Sequence, residues 1–426
     1  MASAKSFDTF PKEITNMIFT FISFFQTPSK RKYNKMLLMM GIILLALNLR
    51  PAITSVGPLI VLIRSELNLS NSIAGLLTTI PLLAFSLTSP VVSKISIRKG
   101  HEFTILIGLT VLTFGICVRS IPWATTLILG SVLIGIGIAM GTVILPGIVK
   151  YYFPAKVGLL TSIYSTTMGM SASLASGFSI PLTNYIGMGW NASLLFWSIF
   201  GILAIIIWYT LFTFRGNQKN LIQEDIGKSA KSLFRSNIAW KVTFFMGFQS
   251  LLFFSLVSWL PTILQSKGIT TSLSGWMLSI LLLVGLPGNF LAPIIANRSK
   301  SQSGLAVSIA LLFFIGIFGI WQVSTINLLM FFVILVGIVQ GAGFSLALTF
   351  LVLRTKNSKQ AMQLSGMAQS MGYLIAAIGP IFLGFLYDQF QTWTVSIIIL
   401  LISTIFMGYL GHGAGRNSYV FLTKKV

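Results

Sequence analysis

Arg50 is the only charged residue in the apolar interval 36–63 and lies about halfway along it. A guanidinium at the middle of a bilayer costs roughly 2.5 to 3.5 kcal/mol even on the gentler insertion scale. The seven acids, Asp8, Glu13, Glu66, Glu102, Glu224, Asp225 and Asp388, fall in tails, in loops or at the ends of apolar runs. None is expected at the depth of Arg50. Helix carbonyls, polar side chains, water or a bound anion must then satisfy its donors, and a planar fork of N–H groups suits a carboxylate, a nitro group or a small linear anion. The competing reading is that Arg50 only ties neighbouring helices through their carbonyls. Pro51 follows directly; its missing amide leaves the Leu47 carbonyl without its helical partner and bends the chain beside the charge.

Five further polar residues sit near the middle of other apolar runs: Tyr164, Gln249, Asn289, Gln340 and Tyr373. Each can contact a solute. Each can equally tie two helices together, at around 0.6 kcal/mol on average. The glycine pairs Gly137 with Gly141 and Gly337 with Gly341 read as close-packing positions first.

Other chemistry is absent from the pattern. There is no Walker-type glycine loop, no metal-binding His-Glu helix and no serine–histidine–carboxylate set. Cys117 is the one cysteine, and His101 and His412 fall near the ends of apolar runs, where solvated surface histidines are expected. The expectation is a protein that is not an enzyme, holds no metal and no cofactor, and does not use ATP.

The elements that must position Arg50 follow from composition. Of 426 residues, 55% are hydrophobic and only 8% charged, which places most of the chain in lipid. A spanning helix needs about 20 apolar residues, and backbone amides in hydrocarbon find partners only within helices. The intervals 36–63, 67–93, 103–118 and 120–149 each read as one span, and 157–214 reads as two, broken at Pro181-Leu182-Thr183-Asn184 with a link ending near Gly189. The intervals 242–266 and 268–297 give two more, 301–353 splits at Ser324-Thr325-Ile326-Asn327, and 360–387 and 389–415 complete twelve.

The division is therefore an amino-terminal arm (1–35), a six-helix half (36–214), a linker (215–241), a second six-helix half (242–415) and a tail (416–426). The formal net charge is +22. Besides Arg50, only Arg64, Arg119 and Lys267 fall outside the loops and tails on one side, so both termini are expected to be cytoplasmic. That distribution explains the basic character without a nucleic-acid partner. The segment 14–25 is too short to span and reads as an interfacial helix or a loose arm. Lys150 and Arg354 end equivalent spans and read as snorkelling to headgroups.

Landmarks recur between the halves at a spacing of 200 to 203 residues: Gly75 and Gly275, Pro90 and Pro293, Gly135 and Gly337, Met168-Gly169 and Met371-Gly372, Trp190 and Trp393. Two parallel repeats imply a pseudo-twofold axis along the membrane normal and a ligand site between the halves. This architecture, over residues 36 to 412, resembles the major facilitator superfamily: an all-α membrane protein with twelve transmembrane helices in two pseudo-symmetric bundles. Asn48-Leu49-Arg50-Pro51, Leu145-Pro146-Gly147-Ile148-Val149-Lys150 with Phe153-Pro154, Gln249-Ser250 before Trp259-Leu260-Pro261, and Gln340-Gly341 before Arg354 resemble the cyanate and nitroimidazole transporter family.

The resemblance implies a small-solute carrier of a bacterial cytoplasmic membrane, with cyanate-like anions or nitro-heterocycles as candidate substrates; a monomer is expected. It also implies a cavity lined by the first, fourth, seventh and tenth spans, which ranks Gln249 and Gln340 above the other candidates. The superfamily's gating loop after the second span carries an aspartate and a basic pair. Here those positions read Pro90, Lys94 and Arg98-Lys99, and the second-half counterpart is Asn297-Arg298. Without that aspartate, the usual charge relay among Lys94, Arg98, Lys99 and Arg298 cannot latch the inner gate.

Two cargo readings stand. In one, Arg50 anchors a small anion; in the other it donates to a nitro or carbonyl group of a neutral heterocycle. A membrane receptor or lipid-modifying enzyme is disfavoured by the two-half repeat and by the lack of paired acids or histidines within the spans.

Overall fold

A computed structural model describes residues 30–67, 71–186, 189–215 and 233–420. The expected interfacial segment at 14–25, the linker residues 216–232 and the last six residues lie outside the described residues. Among the described residues there is no strand. The first span is broken into α1 (Lys30–Asn48), α2 (Pro51–Thr54) and α3 (Val56–Leu67). There follow α4 (Asn71–Lys99), α5 (His101–Arg119), α6 (Ala124–Tyr152) and α7 (Val157–Ile186), and a sixth span made of α8 (Gly189–Phe196) and α9 (Ser198–Arg215). The second half comprises α10 (Asn237–Gln265), α11 (Thr271–Arg298), α12 (Ser303–Gln322), α13 (Ile326–Leu353), α14 (Ser358–Phe390) and α15 (Thr394–Ala414).

Eleven helices are long and apolar enough to cross a membrane among the described residues. The twelfth element, α7, falls short because it carries Thr161, Ser162, Ser165, Thr166, Thr167, Ser171, Ser173, Ser176 and Ser179. Many of those hydroxyls bond to carbonyls, either on α7 itself or across a helix boundary, as Ser162 does to Phe290 (2.6 Å) and Ser179 to Ser55 (3.0 Å). A polar helix can cross lipid when it faces protein and its hydroxyls have acceptors.

The break expected at Pro181 is not there: α7 continues through it to Ile186, and the hydroxyls of Ser179 and Thr183 bond to carbonyls one turn back. Interior proline is tolerated in a membrane helix when neighbouring hydroxyls re-satisfy the backbone. The sixth span instead starts at Gly189, whose φ of 73° suits a residue without a Cβ.

Helix starts in the second half are capped in the usual way, with Ser236, Thr270 and Asn357 side chains accepting amides of Ala239, Leu273 and Gln360. The repeat reappears in the packing. A Cβ on Gly135 of α6 would run into Pro81 and Ala84 of α4, and one on Gly337 of α13 into Leu281 and Val284 of α11, each partner 200 positions further on. Arg119, expected in an outer loop, is instead only 1% exposed at the end of α5, its backbone pressed against Gly130. Lys267 is likewise folded back, its ammonium donating to the Trp321 and Val323 carbonyls at 2.6 and 2.9 Å.

The halves meet mainly where α4 lies on α14 and α7 on α11. Replacing Gly135 or Gly337 with valine is expected to lower stability by about 1–3 kcal/mol, because a backbone carbonyl cannot give way. Gly275→Ala, in open space, is expected to leave the melting temperature unchanged or slightly raised. Thermal unfolding in detergent followed by size-exclusion chromatography measures both.

Candidate functional site

The site begins at the break in the first span. Pro51 opens α2 and cannot continue α1, so Leu49 and Arg50 form a turn, with Arg50 at φ −114°. Two buried contacts hold the turn. Asn48 donates its amide to the Leu44 carbonyl (2.8 Å) and across to Phe200 of α9 (3.0 Å). Thr54 donates to the Arg50 carbonyl (3.2 Å) and is within bonding distance of Ala172 on α7 (3.1 Å).

Arg50 thereby lines a partly open cavity between the halves. Small residues of α7, Gly169, Ala172 and Ser173, line one side together with Met168. The other side is second-half: Phe253 of α10; Leu281, Leu282, Gly285 and Asn289 of α11; Gln340, Gly341 and Phe344 of α13. The Arg50 guanidinium carbon stands over the Phe344 ring at 4.6 Å from its centre and over the Phe253 ring at 5.6 Å. Among the described residues it has no ion-pair partner. Glu66 is engaged instead by the Trp190 indole (2.8 Å) and Glu102 by the Tyr152 hydroxyl (2.7 Å).

Of the residues expected at the site, Arg50, Asn289 and Gln340 line the cavity. Gln249 stands behind, donating to the Gln340 side-chain carbonyl at 3.1 Å and accepting from Ser250 at 3.3 Å. The Asn289 side-chain oxygen is buried without a partner. Tyr164 and Tyr373 are not on the lining. Tyr164 is wholly buried within the packed core. Tyr373 of α14 is spent on the seam between the halves, its ring centre 4.2 Å from that of Phe85 on α4 and 6.1 Å from that of Phe254.

Lys94, Arg98, Lys99 and Arg298 are all exposed. From this basic end inward to the depth of the cavity, the halves are joined by uncharged acceptors and hydroxyls. Ser358 donates to the Gly147 carbonyl (2.8 Å), Ser86 to Ser370 (2.7 Å), Gln369 to Thr142 (3.1 Å) and Ser165 to Asn289 (3.3 Å). Lys150 does not snorkel; its ammonium reaches across the seam to the Val352 carbonyl at 3.1 Å. Arg354 does not snorkel either. It is 2% exposed, bonded to the Gln302 side chain and to the Gly415 carbonyl, and its own carbonyl accepts from Val420 at 2.9 Å. Burial lowers its guanidinium to about 10, which leaves it charged at neutral pH. His101, expected in solvent, is 8% exposed with its Nδ1 2.9 Å from the Ser96 hydroxyl, whereas His412 is exposed.

Sequence reasoning missed the two rings. Phe253 and Phe344 each lie four residues after a glutamine singled out on the same helix, Gln249 and Gln340, and residues four apart share a helix face.

A family model described as Major Facilitator Superfamily matches residues 36–361. The chain belongs to the Major Facilitator Superfamily. Among its relatives are an uncharacterized transporter, YycB, of Bacillus subtilis (strain 168), 44% identical over 93% of this chain and 98% of that protein. The 2-nitroimidazole transporter of Escherichia coli (strain K12) is 37% identical over 91% and 97%. The cyanate transport protein CynX of the same strain is 24% identical over 82% and 89%. The fold matches the crystal structure of the superfamily transporter FucP with a TM-score of 0.69, at 12% identity over 88% of this chain and 98% of that one. As a member of this superfamily the chain is a multi-pass membrane transporter of the kind resembling nitroimidazole and cyanate carriers.

The seam geometry predicts which end is open. With Cys117 replaced by serine, Ser173→Cys on the cavity wall is expected to react with a membrane-impermeant thiol reagent added on the side opposite the basic end. Gln369→Cys, fully buried in the seam, is expected to stay unlabelled. Gel-shift labelling of oriented vesicles from both sides reads the outcome.

Proposed function

We propose that the protein is a secondary or facilitated carrier that moves a small anion or nitro compound by alternating access, with Arg50 as the anchor for the negatively polarised group. The observation that carries this reading is a guanidinium lining a cavity between the halves with no carboxylate partner among the described residues. Gln340, braced by Gln249, and Asn289, with its unpartnered oxygen, hold the solute from the other half. The names of two relatives, a 2-nitroimidazole transporter and a cyanate transport protein, support cargo of this size and polarity. The site favours the anion over the neutral-heterocycle reading, since an uncompensated full charge is best offset by another. The positive-inside distribution supports a cytoplasmic basic end, and in this reading the solute enters the cavity from the opposite side.

Uptake into proteoliposomes tests it. Arg50→Ala is expected to reduce flux of the transported anion by about 10- to 100-fold, the scale of losing charge-assisted hydrogen bonds, with the melting temperature near the parent's. Arg50→Lys, a point charge without the fork, is expected to recover part of the flux. Unchanged flux in Arg50→Ala would sink the assignment.

A further inference from the structure

Resting on that reading, we propose that Lys150 is a second anion station on the translocation path, parked on the Val352 carbonyl in this state and taking over the solute from Arg50 when the halves part at the basic end.

Lys150 stands half-buried in the last turn of α6, and its ammonium reaches out of the first half to the Val352 carbonyl of α13 at 3.1 Å. Among the described residues no carboxylate pairs with it. Glu102, at the start of α5, accepts from the Tyr152 hydroxyl instead. An ammonium carries three N–H donors, so Lys150 has donors to spare for a further acceptor.

The internal repeat shows that crossing the seam is a choice. Arg354 ends the equivalent span of the second half, and its guanidinium finds its acceptors inside that half, on the Gln302 side chain and the Gly415 carbonyl. Lys150 alone of this pair bonds to the opposite half. Its bond is also one-sided in what it loses on opening. Val352 lies in the last turn of α13, and its carbonyl accepts from the Thr355 hydroxyl as well, at 3.1 Å. When the halves separate, as release of a solute on this side requires, Val352 keeps that partner and Lys150 keeps none. The ammonium is bared at the step in which an anion arrives.

The two cations share one track. A Cβ on Gly141 of α6 would run into the side chain of Leu49, the neighbour of Arg50, which sets Gly141 near the depth of the broken turn. Lys150 is nine positions further along α6, about 13 Å at 1.5 Å per residue. Between them the Thr142 and Gly147 carbonyls of α6 accept from Gln369 and Ser358 of α14, bonds that must break to join the two stations. Arginine grips an oxyanion with a rigid fork, whereas lysine is a compact, strongly hydrated point charge. The second station therefore holds more loosely than the first, as exit demands.

Full-length protein reconstituted in one orientation into proteoliposomes tests this, with half-saturating concentrations of labelled cyanate, nitrate and benzoate measured from each side. For the anions the parent carries, Lys150→Gln is expected to raise the basic-side value about tenfold and the opposite-side value less than about twofold, the scale of losing one hydrogen bond to a charged group on one side only. Lys150→Arg is expected to bring the basic-side value back toward the parent's. Glutamine keeps N–H donors, so a lysine that served only to latch the halves would cost nothing on replacement or cost affinity equally from both sides. Either result overturns the inference, as does an arginine that restores nothing.

Should Lys150→Gln fail to fold, Lys150→Cys in a Cys117→Ser background is aminoethylated through its thiol in the finished vesicles. Restored charge is expected to recover basic-side affinity where a neutral thiol adduct does not, and equal behaviour of the two adducts overturns the inference. If Arg50→Ala abolishes anion flux while Lys150→Gln matches the parent, the anchor reading survives and this inference falls alone. If none of the three anions moves, or Arg50→Ala leaves every flux unchanged, both fall.

Discussion

An unpaired guanidinium in the interior of a membrane bundle is the constraint around which the rest of the molecule is arranged. Its insertion cost of roughly 2.5–3.5 kcal/mol is met here without an acid among the described residues. Two ring faces lie against the charge, at about 0.5–2 kcal/mol each, and the cavity leaves its donors reachable from water. The break in the first span makes this possible. A continuous helix would hold Arg50 on its cylinder; the turn at Leu49–Arg50, enforced by Pro51 and pinned by Asn48 to α9 and by Thr54 to α7, carries the side chain to the face between the halves. An anion bound at Arg50 and touching Gln340 or Asn289 would add a contact from the first half to the second at a charge that has no acidic partner among the described residues.

The seam at the basic end is built on different physics. Lys94, Arg98, Lys99 and Arg298 face solvent, and the closure relies on hydroxyls, an amide and one lysine bonded to backbone carbonyls of the opposite half. Net hydrogen bonds of this kind contribute about 0.5–1.5 kcal/mol each, so several must act together to hold the gate. Because the acceptors are carbonyls, the closure depends on helix register and on close approach. Gly147 supplies that approach, with Met362 filling the space where its Cβ would be. In place of a carboxylate pairing, the described contacts across the halves here are hydroxyl and amide bonds and one lysine ammonium, all to backbone carbonyls.

Much of the architecture was legible because lipid leaves a chain few choices. Run lengths between charges located the spans, and landmarks 200 residues apart located the repeat that the packing of Gly135 and Gly337 displays. The errors share a cause. Pro181, Arg119, His101, Lys150 and Arg354 were read by local rules for proline as a breaker and for charged residues as solvent-seeking; long-range partners hold Lys150 and Arg354, packing buries Arg119, and bonds within a few residues accommodate Pro181 and His101. Within the site, Arg50 stood out because a lone charge is conspicuous, and Gln340 and Asn289 because amides are rare at depth. Tyr164 and Tyr373 carry the same kind of polar handle, yet one is packed in the core and the other fills the seam. Phe253 and Phe344 were hidden among 34 phenylalanines, although each sits one helical turn from a glutamine that had already been noticed.

The position of α7 ties the two regions together. Its Gly169, Ala172 and Ser173 form a wall of the cavity, while Ser162 and Ser165, about one to three turns earlier, bond the Phe290 and Asn289 carbonyls of α11. Asn289 is itself on the lining, so one residue of α11 meets both the solute space and the seam. A ligand shifts an equilibrium between two arrangements only by binding them with different affinity. Here any solute that engages Asn289 from the cavity acts on a residue whose carbonyl helps keep the basic end shut, and whose buried side-chain oxygen has no other partner. The proposed solute site and the contact between the halves therefore share a single turn of α11.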